Sequence, residues 1–308
     1  MTTFYVYVAD GRRLAVNLSG APLGKPDVPG APSRKPVFYL HGTPGSRVGP
    51  RPTNRQLDAL NVSLITFDRP GYGRSDRKKN RKVADVASDV EAIADSLGVR
   101  EFAVLGRSGG GPHALACASL LSERVTRAAA LVSLAPREAV GLEWFNGMAQ
   151  SNKETYTTAE EDPEKLSMFL VEEAARIYAD PASHVAVLTP EMPEADRLIV
   201  ADKGVRALLA LNFATGLRDS AEGWIDDVLA FCSPWGFDPS DITKPVYLWH
   251  GQDDVFSPIS HTRWLADRIR GALADYPADR AHFGALEVVP RVLSWLSGQT
   301  AAVLESVS

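Results

Sequence analysis

The stretch Gly106-Arg107-Ser108-Gly109-Gly110 decides how this chain is read, because of what flanks it. Before it, Glu101 to Leu105 is a short apolar run of strand type. After it, Pro112 to Leu121 reads as a helix whose alanines allow close approach to a sheet. A G-x-S-x-G pentad alone says little. Set between a strand and a helix, it describes a sharp turn that holds its serine in a strained backbone conformation. Small residues are then needed on either side, where strand, helix and serine crowd together. The turn also sets Ser108 near the positive end of the helix macrodipole, which favours negative charge developing there. A phosphate-binding glycine loop is the bland alternative, but the lysine and second glycine spacing of a P-loop are missing.

Outward from the pentad, strands and helices alternate. Pro36 to His41, Ser63 to Asp68 and a segment within Val125 to Ala135 read as further buried strands. Val83, Val86, Val90, Ile93, Ala94 and Leu97 have the spacing of an amphipathic helix that Gly98 ends. Strands separated by helices need crossover connections, so the expected fold is α/β, with a mostly parallel central sheet covered on both faces. Phe4 to Val8 and Arg13 to Leu18, joined across Asp10-Gly11, predict an antiparallel hairpin at the start of that sheet. From Gly20 to Pro36, five prolines and three glycines mark a surface connection.

The rhythm breaks after Pro136. Arg137 to about Trp235 holds helix-like stretches, such as Ala159 to Tyr178 and Ala195 to Phe213, and no convincing buried strand. The strand pattern resumes at Pro245 to Trp249, and helices are expected from about His261 to Ile269 and from Val288 to Leu296. The expected organisation is a core of residues 1–136 and 237–308 interrupted by a helical insertion of residues 137–236.

Composition bounds the function. With 308 residues, 45% of them hydrophobic, the chain buries a full core. A net charge of −5, from 33 basic and 38 acidic residues, offers no broad electropositive surface, so nucleic acid is not an expected partner. Met1 to Asp10 lacks the pattern of a signal peptide and no apolar run approaches bilayer length, so no membrane partner and a cytoplasmic location are expected. Cys117 and Cys232 have neither metal-ligand spacing nor the look of a disulfide framework, and read as small apolar fillers. The histidines have no third ligand at compatible spacing, so neither metal nor cofactor is expected.

A serine hydroxyl is a poor nucleophile at neutral pH and needs a base, itself oriented by a carboxylate. Late in the chain, His282 lies in Ala281-His282-Phe283-Gly284, before the terminal helix, and Asp254 lies in Trp249-His250-Gly251-Gln252-Asp253-Asp254, just past an apolar strand.

Four motifs in order give the chain a resemblance to the α/β-hydrolase superfamily along nearly its whole length. They are His41-Gly42-Thr43-Pro44-Gly45, Asp68-Arg69-Pro70-Gly71-Tyr72-Gly73-Arg74-Ser75, the pentad around Ser108, and Gly251-x-x-Asp254-x-x-x-Pro258 followed by His282. The resemblance implies a catalytic triad of Ser108, Asp254 and His282, the acid lying three residues after the glycine and so favouring Asp254 over Asp253. Where some members carry the acid after an earlier strand, this chain offers only Glu138. The resemblance also implies an oxyanion hole from the backbone N–H groups of Thr43 and Gly109. It makes the insertion a helical cap over the strand ends, where Trp144, Phe145, Met148 and Trp224, with Phe231 and Trp235, are candidates to line a pocket for a small-molecule substrate with an apolar moiety.

Serine in the pentad argues against dehalogenase and epoxide hydrolase chemistry, for which similar enzymes use aspartate. Esters, thioesters and lactones fit best. Amides, certain carbon–carbon bonds and perhydrolysis remain open. The His41 turn is similar to that of proline iminopeptidases, although those usually carry glycine where Thr43 stands; cap carboxylates at Glu160, Glu161, Asp162, Glu172 and Glu173 could serve such a peptidase or be a solvated helix face. A binding protein without useful turnover and a biosynthetic transacylase are the alternatives of other classes. His41 and His113 read as structural, while His250 lies at a strand end near the acid and His261 in the next helix. The cations Arg74, Arg77, Lys78, Lys79, Arg81 and Lys82 could steer an anionic substrate or form a solvated loop.

Overall fold

A computed structural model describes residues 3–20, 23 and 34–299; most of the connection expected between Gly20 and Pro36 lies outside the described residues. Eight strands form one sheet: β1 (Thr3–Tyr7), β2 (Arg13–Ser19), β3 (Lys35–Leu40), β4 (Val62–Phe67), β5 (Phe102–Arg107), β6 (Val125–Leu131), β7 (Val246–Trp249) and β8 (Leu273–Asp275). Their order is β1-β2-β4-β3-β5-β6-β7-β8. β1 and β2 form the expected hairpin, with Phe4 opposite Val16, and β2 joins β4 antiparallel. From β4 to β8 all pairing is parallel.

Alternation along the central strands feeds two cores. Phe38, Leu40, Val104, Ala128 and Ala130 face α2 (Val86–Ser96) and α3 (Gly110–Leu120). Val37, Tyr39, Ala103, Leu105 and Ala129 face α1 (Asn54–Ala59) and the terminal helix Ala285–Leu296. Every position of β4 and β5 is buried, as befits strands covered on both faces.

Between β6 and β7 lie six α-helices: α4 (Gln150–Glu161), α5 (Pro163–Ala179), α6 (Pro181–Leu188), α7 (Glu194–Ala201), α8 (Lys203–Gly216) and α9 (Glu222–Phe231). Two expected helices are each divided, and the divider is a capping aspartate. Asp162 accepts from the Lys165 N–H ahead of Pro163, and Asp202 accepts from the Val205 N–H, so a new helix starts at each point. Past β7, α10 (Ile259–Arg268) leads to β8, and α11 (Ala285–Leu296) closes the chain. β8 is three residues of intermediate burial, too short to announce itself as an apolar run. Cys117 and Cys232 are both free. Among the described residues no helix is long and apolar enough to cross a membrane.

The turn after β5 is the tightest place in the fold. A Cβ on Gly106 would stand 2.0 Å from the Gly110 carbonyl oxygen, and one on Gly110 would stand 2.2 Å from the Leu40 oxygen. Backbone cannot yield as a side-chain tip can. Gly106→Ala is therefore expected to destabilise the protein by about 3 kcal/mol, the upper end of ordinary overpacking, read as a lower urea midpoint at unchanged m-value.

Candidate active site

Ser108 follows the last residue of β5 with φ of +54°, a left-handed conformation that costs a non-glycine residue strain. The surrounding ladder holds it there. Its N–H donates to the Leu131 oxygen at 2.8 Å, and its own carbonyl accepts from the Gly111 N–H at 2.7 Å. β7 and β8 bring the other two expected residues to the same sheet edge. Asp254 lies in the turn after β7, and His282 in the loop between β8 and α11. Nδ1 of His282 is 2.8 Å from Oδ2 of Asp254. With that contact made by Nδ1–H, Nε2 is the nitrogen left for the cavity that Ser108 and His282 both line.

Asp254 is held on both oxygens. Oδ1 accepts from the N–H groups of Phe256 (2.8 Å) and Ser257 (3.0 Å), and Oδ2 also lies 3.1 Å from Nε2 of His250. Burial pushes its pKa up, but the charge of His282 and the hydrogen bonds from His250 and His282 outweigh that and hold it well below the usual carboxylate range. Asp253 and Glu138, the alternatives to Asp254, are both exposed.

Several residues of this region gave no signal in the sequence. Asp196, on α7 and fully buried, accepts from the N–H groups of His282 (3.2 Å) and Phe283 (2.7 Å), tying the helical layer to the histidine loop. Burial raises its pKa to about 6. Asp227, on α9, is a second such tie. It accepts from Thr43 Oγ1 at 2.5 Å, Tyr72 Oη at 2.8 Å, and the guanidinium groups of Arg69 and Arg81 at 2.5 Å each, with His113 Nε2 at 3.3 Å. Burial opposes its charge, but Arg69 and Arg81 prevail and hold its pKa well below the ordinary value. Thr43 is thus clamped from the helical layer, its Oγ1 lying 2.2 Å from where a Cβ on Gly109 would be. The two expected oxyanion-hole residues are therefore immediate neighbours. His41 sits beneath, its Nδ1 2.8 Å from the Gly42 oxygen and its Nε2 accepting from the Arg69 N–H at 3.2 Å.

A cavity of about 530 Å³ opens over Ser108 between the strand ends and the helical layer. Leu134, Phe169, Leu209, Phe213, Trp224 and Phe231 give it apolar walls, and Ser151, Asn152, Glu154, Lys165 and Glu173 give it a polar side. Of the six candidate lining residues, Trp224 and Phe231 line it, while Trp235 is buried against Phe237. Trp144, Phe145 and Met148 do not line it. Trp144 is instead buried, its indole N–H donating to the Ala135 oxygen at 3.0 Å and its ring against Tyr156 and His261. Phe145 packs on the Trp144 ring and under the Arg137 guanidinium, and Met148 is buried in the core. Aromatic character marked these side chains without saying which surface they bury. The basic stretch 74–82 is likewise redirected. Arg77 pairs with Asp226 and Glu222, Lys78 with Asp85, and Arg81 with Asp227, so half its cations bind neighbours within the protein. Glu160 pairs with Arg137, and of the carboxylates named for the helical layer only Glu173 reaches the cavity. Among the described residues no group of His, Cys, Asp and Glu could hold a metal ion.

Comparison with known proteins agrees with the topology. The family description "alpha/beta hydrolase fold" matches residues 35–274. The chain belongs to the α/β-hydrolase fold family. An enol-lactonase from Burkholderia xenovorans superposes with a TM-score of 0.67 at 18% identity, covering 98% of this chain and 100% of that one. A thermophilic esterase from Thermogutta terrifontis does so at 0.66 and 19%, covering 100% and 99%. These likenesses concern the fold. In sequence, a proline iminopeptidase of Xylella fastidiosa is 35% identical over 100 residues, 32% of each chain, so the match spans about a third of that relative. An uncharacterized hydrolase of Bacillus subtilis is 24% identical over 215 residues, 68% of this chain and 72% of that one.

The Asp227 cluster yields a stability prediction. Asp227→Asn leaves two buried guanidinium groups without their carboxylate and is expected to cost about 3–5 kcal/mol. Since the folded pKa of Asp227 lies below its unfolded value, the stabilisation is present above about pH 4 and is lost as pH falls below that. Urea titrations across the acid range should therefore show a shallower acid limb in Asp227→Asn than in wild type.

Proposed function

We propose that the protein is a serine hydrolase that cleaves a small-molecule carboxylic ester or lactone through an acyl-enzyme. The observation that carries this reading is the strained Ser108, at the head of a cavity it shares with a histidine whose far nitrogen is held by a buried, strongly acidic Asp254. In the proposed reaction Nε2 of His282 takes the Ser108 hydroxyl proton as Oγ attacks the carbonyl carbon. The oxyanion forms against the Thr43 and Gly109 N–H groups, each such donor contributing about 3–4 kcal/mol in the transition state. The intermediate collapses, and the leaving alcohol departs with the proton from the imidazolium. Water then repeats the sequence on the acyl-serine, releasing the acid and restoring the hydroxyl. Asp254 orients the imidazole and stabilises its charged form. The helical layer acts as a cap, and its apolar walls suit an apolar portion of the substrate.

A proline-iminopeptidase-like reading is supported by the partial sequence match to such an enzyme and by the carboxylates Glu154 and Glu173 on the polar side of the cavity. Both are engaged locally, Glu154 by Gln150 and Glu173 by Arg176. This leaves them poorer receptors for a free amino terminus, and esters are the preferred class. A panel of short-chain esters, lactones and prolyl amides separates the two readings; faster turnover of the amides would reverse the preference.

A fluorophosphonate probe should label wild-type protein at Ser108 and leave Ser108→Ala unlabelled. Asp254→Asn should keep the fold and lower kcat roughly 10⁴-fold through loss of the correct tautomer. Ester turnover persisting in Ser108→Ala would count decisively against the reading.

A further inference from the structure

Four arginines of the described chain are buried, and three have a carboxylate: Arg47 pairs with Asp68, and Arg69 and Arg81 pair with Asp227. Arg107 is the fourth. It is 8% exposed, is the residue before the nucleophile, and among the described residues has no carboxylate within ion-pair distance. Its polar neighbour is the hydroxyl of Tyr39, a phenol whose burial favours the protonated form and which therefore supplies no negative charge. A guanidinium remains charged throughout the working pH range, so a buried one without a counter-charge favours any anion that reaches it.

Its position says where that anion would sit. Arg107 lines the large cavity together with Gly42, Thr43, Ser108 and His282. A Cβ on Gly42 would stand 3.4 Å from Ser108 Cβ and 3.5 Å from Arg107 Nη2, so a methyl-sized space separates the nucleophile's side chain from the cation. A second recess of about 20 Å³, which Arg107 borders with Tyr39, Gly42 and Arg47, has room for little more than a water. Of these two spaces, only the large cavity has room for an organic anion beside Arg107. The carboxylates of that cavity, Glu154 and Glu173, come from α4 and α5 and are already engaged, so neither compensates Arg107.

We propose that Arg107 is a carboxylate-recognition residue, and that the substrate is an ester or lactone bearing a carboxylate a few bonds from the scissile carbonyl. This rests on the serine-hydrolase reading above and adds the substrate's charge to it. The guanidinium presents paired donors to the substrate carboxylate while the cap walls receive the apolar remainder. An anion there also orients the carbonyl over Ser108, since the cation belongs to the same strand end as the nucleophile.

The test uses the full-length protein in a pH-stat with monomethyl glutarate, which carries the anion, and dimethyl glutarate, which does not. Wild type is expected to have the higher kcat/KM on the monoester. Arg107→Gln should lower the ratio of monoester to diester kcat/KM by about 10- to 100-fold, the worth of hydrogen bonds to a charged group, mainly through KM. Arg107→Lys should recover part of it. A ratio equal in wild type and Arg107→Gln overturns the proposal, because a purely structural role would depress both substrates alike. Should Arg107→Gln not fold, inhibition of wild type decides: glutarate is expected to compete at least 10-fold more tightly than glutaramide, and equal inhibition overturns the proposal. Fluorophosphonate labelling separates the levels. Labelled Ser108 with an unmoved ratio removes the Arg107 assignment alone, whereas unlabelled wild type removes the serine-hydrolase reading and this inference with it.

Discussion

The carboxylate of Asp227 is the constraint on which the arrangement around the site depends. It lies fully buried on a helix of the insertion, and its partners arrive from the loop after β3, from the connection between β4 and α2 and from α3: Thr43, then Arg69, Tyr72 and Arg81, and His113. A charge in such a place is tolerated only when opposite charge and hydrogen bonds surround it. Here two guanidinium groups, two hydroxyls and an imidazole do so. The consequence is positional. The helical layer cannot shift relative to the loop 41–45 without uncovering ions, so the cavity roof and the Thr43 turn move as one body.

A second tie works on the opposite side of the cavity. Asp196 holds the N–H groups of His282 and Phe283, while Asp254 holds the imidazole of the same His282. Backbone and ring of the histidine are thus fixed by two carboxylates from different layers. His250 completes the setting by donating to Asp254 and to the Ser257 oxygen, which shields the acid from solvent. Together these contacts turn a loop between β8 and α11, with little regular structure of its own, into a rigid support.

The turn after β5 shows how backbone crowding and electrostatics combine. Gly106, Gly110 and Gly111 lie where any Cβ would meet backbone or the Ser133 side chain at 2.5 Å or less, so the helix start can press against the strand ends. That closeness forces the positive φ of Ser108 and lifts its side chain toward the cavity. It also places Arg107 beside Ser108 at a strand end, and among the four buried arginines of the described residues Arg107 alone has no carboxylate partner.

Much of this was legible in the sequence because it is local. Apolar runs of four to seven residues separated by amphipathic helices define a mostly parallel sheet, the Asp10-Gly11 hairpin closes one edge, and a small-residue turn between strand and helix singles out Ser108. The order of motifs then names Asp254 and His282. What the sequence did not determine is everything set by where remote surfaces meet. Trp144 and Trp224 look alike in one dimension; one plugs the core against His261 and the other faces the cavity, because burial depends on which helix packs where. The cations of residues 74–82 read as a free patch until α9 supplies Asp226 and Asp227. Asp162 and Asp202 divide the expected helices since a capping oxygen can satisfy a new set of N–H groups wherever the chain has reason to turn, and tertiary packing supplies that reason. Periodicity and turn chemistry are properties of neighbours in sequence, whereas ion pairing and burial belong to neighbours in space. For that reason only the tertiary structure decided which charges near the site are compensated.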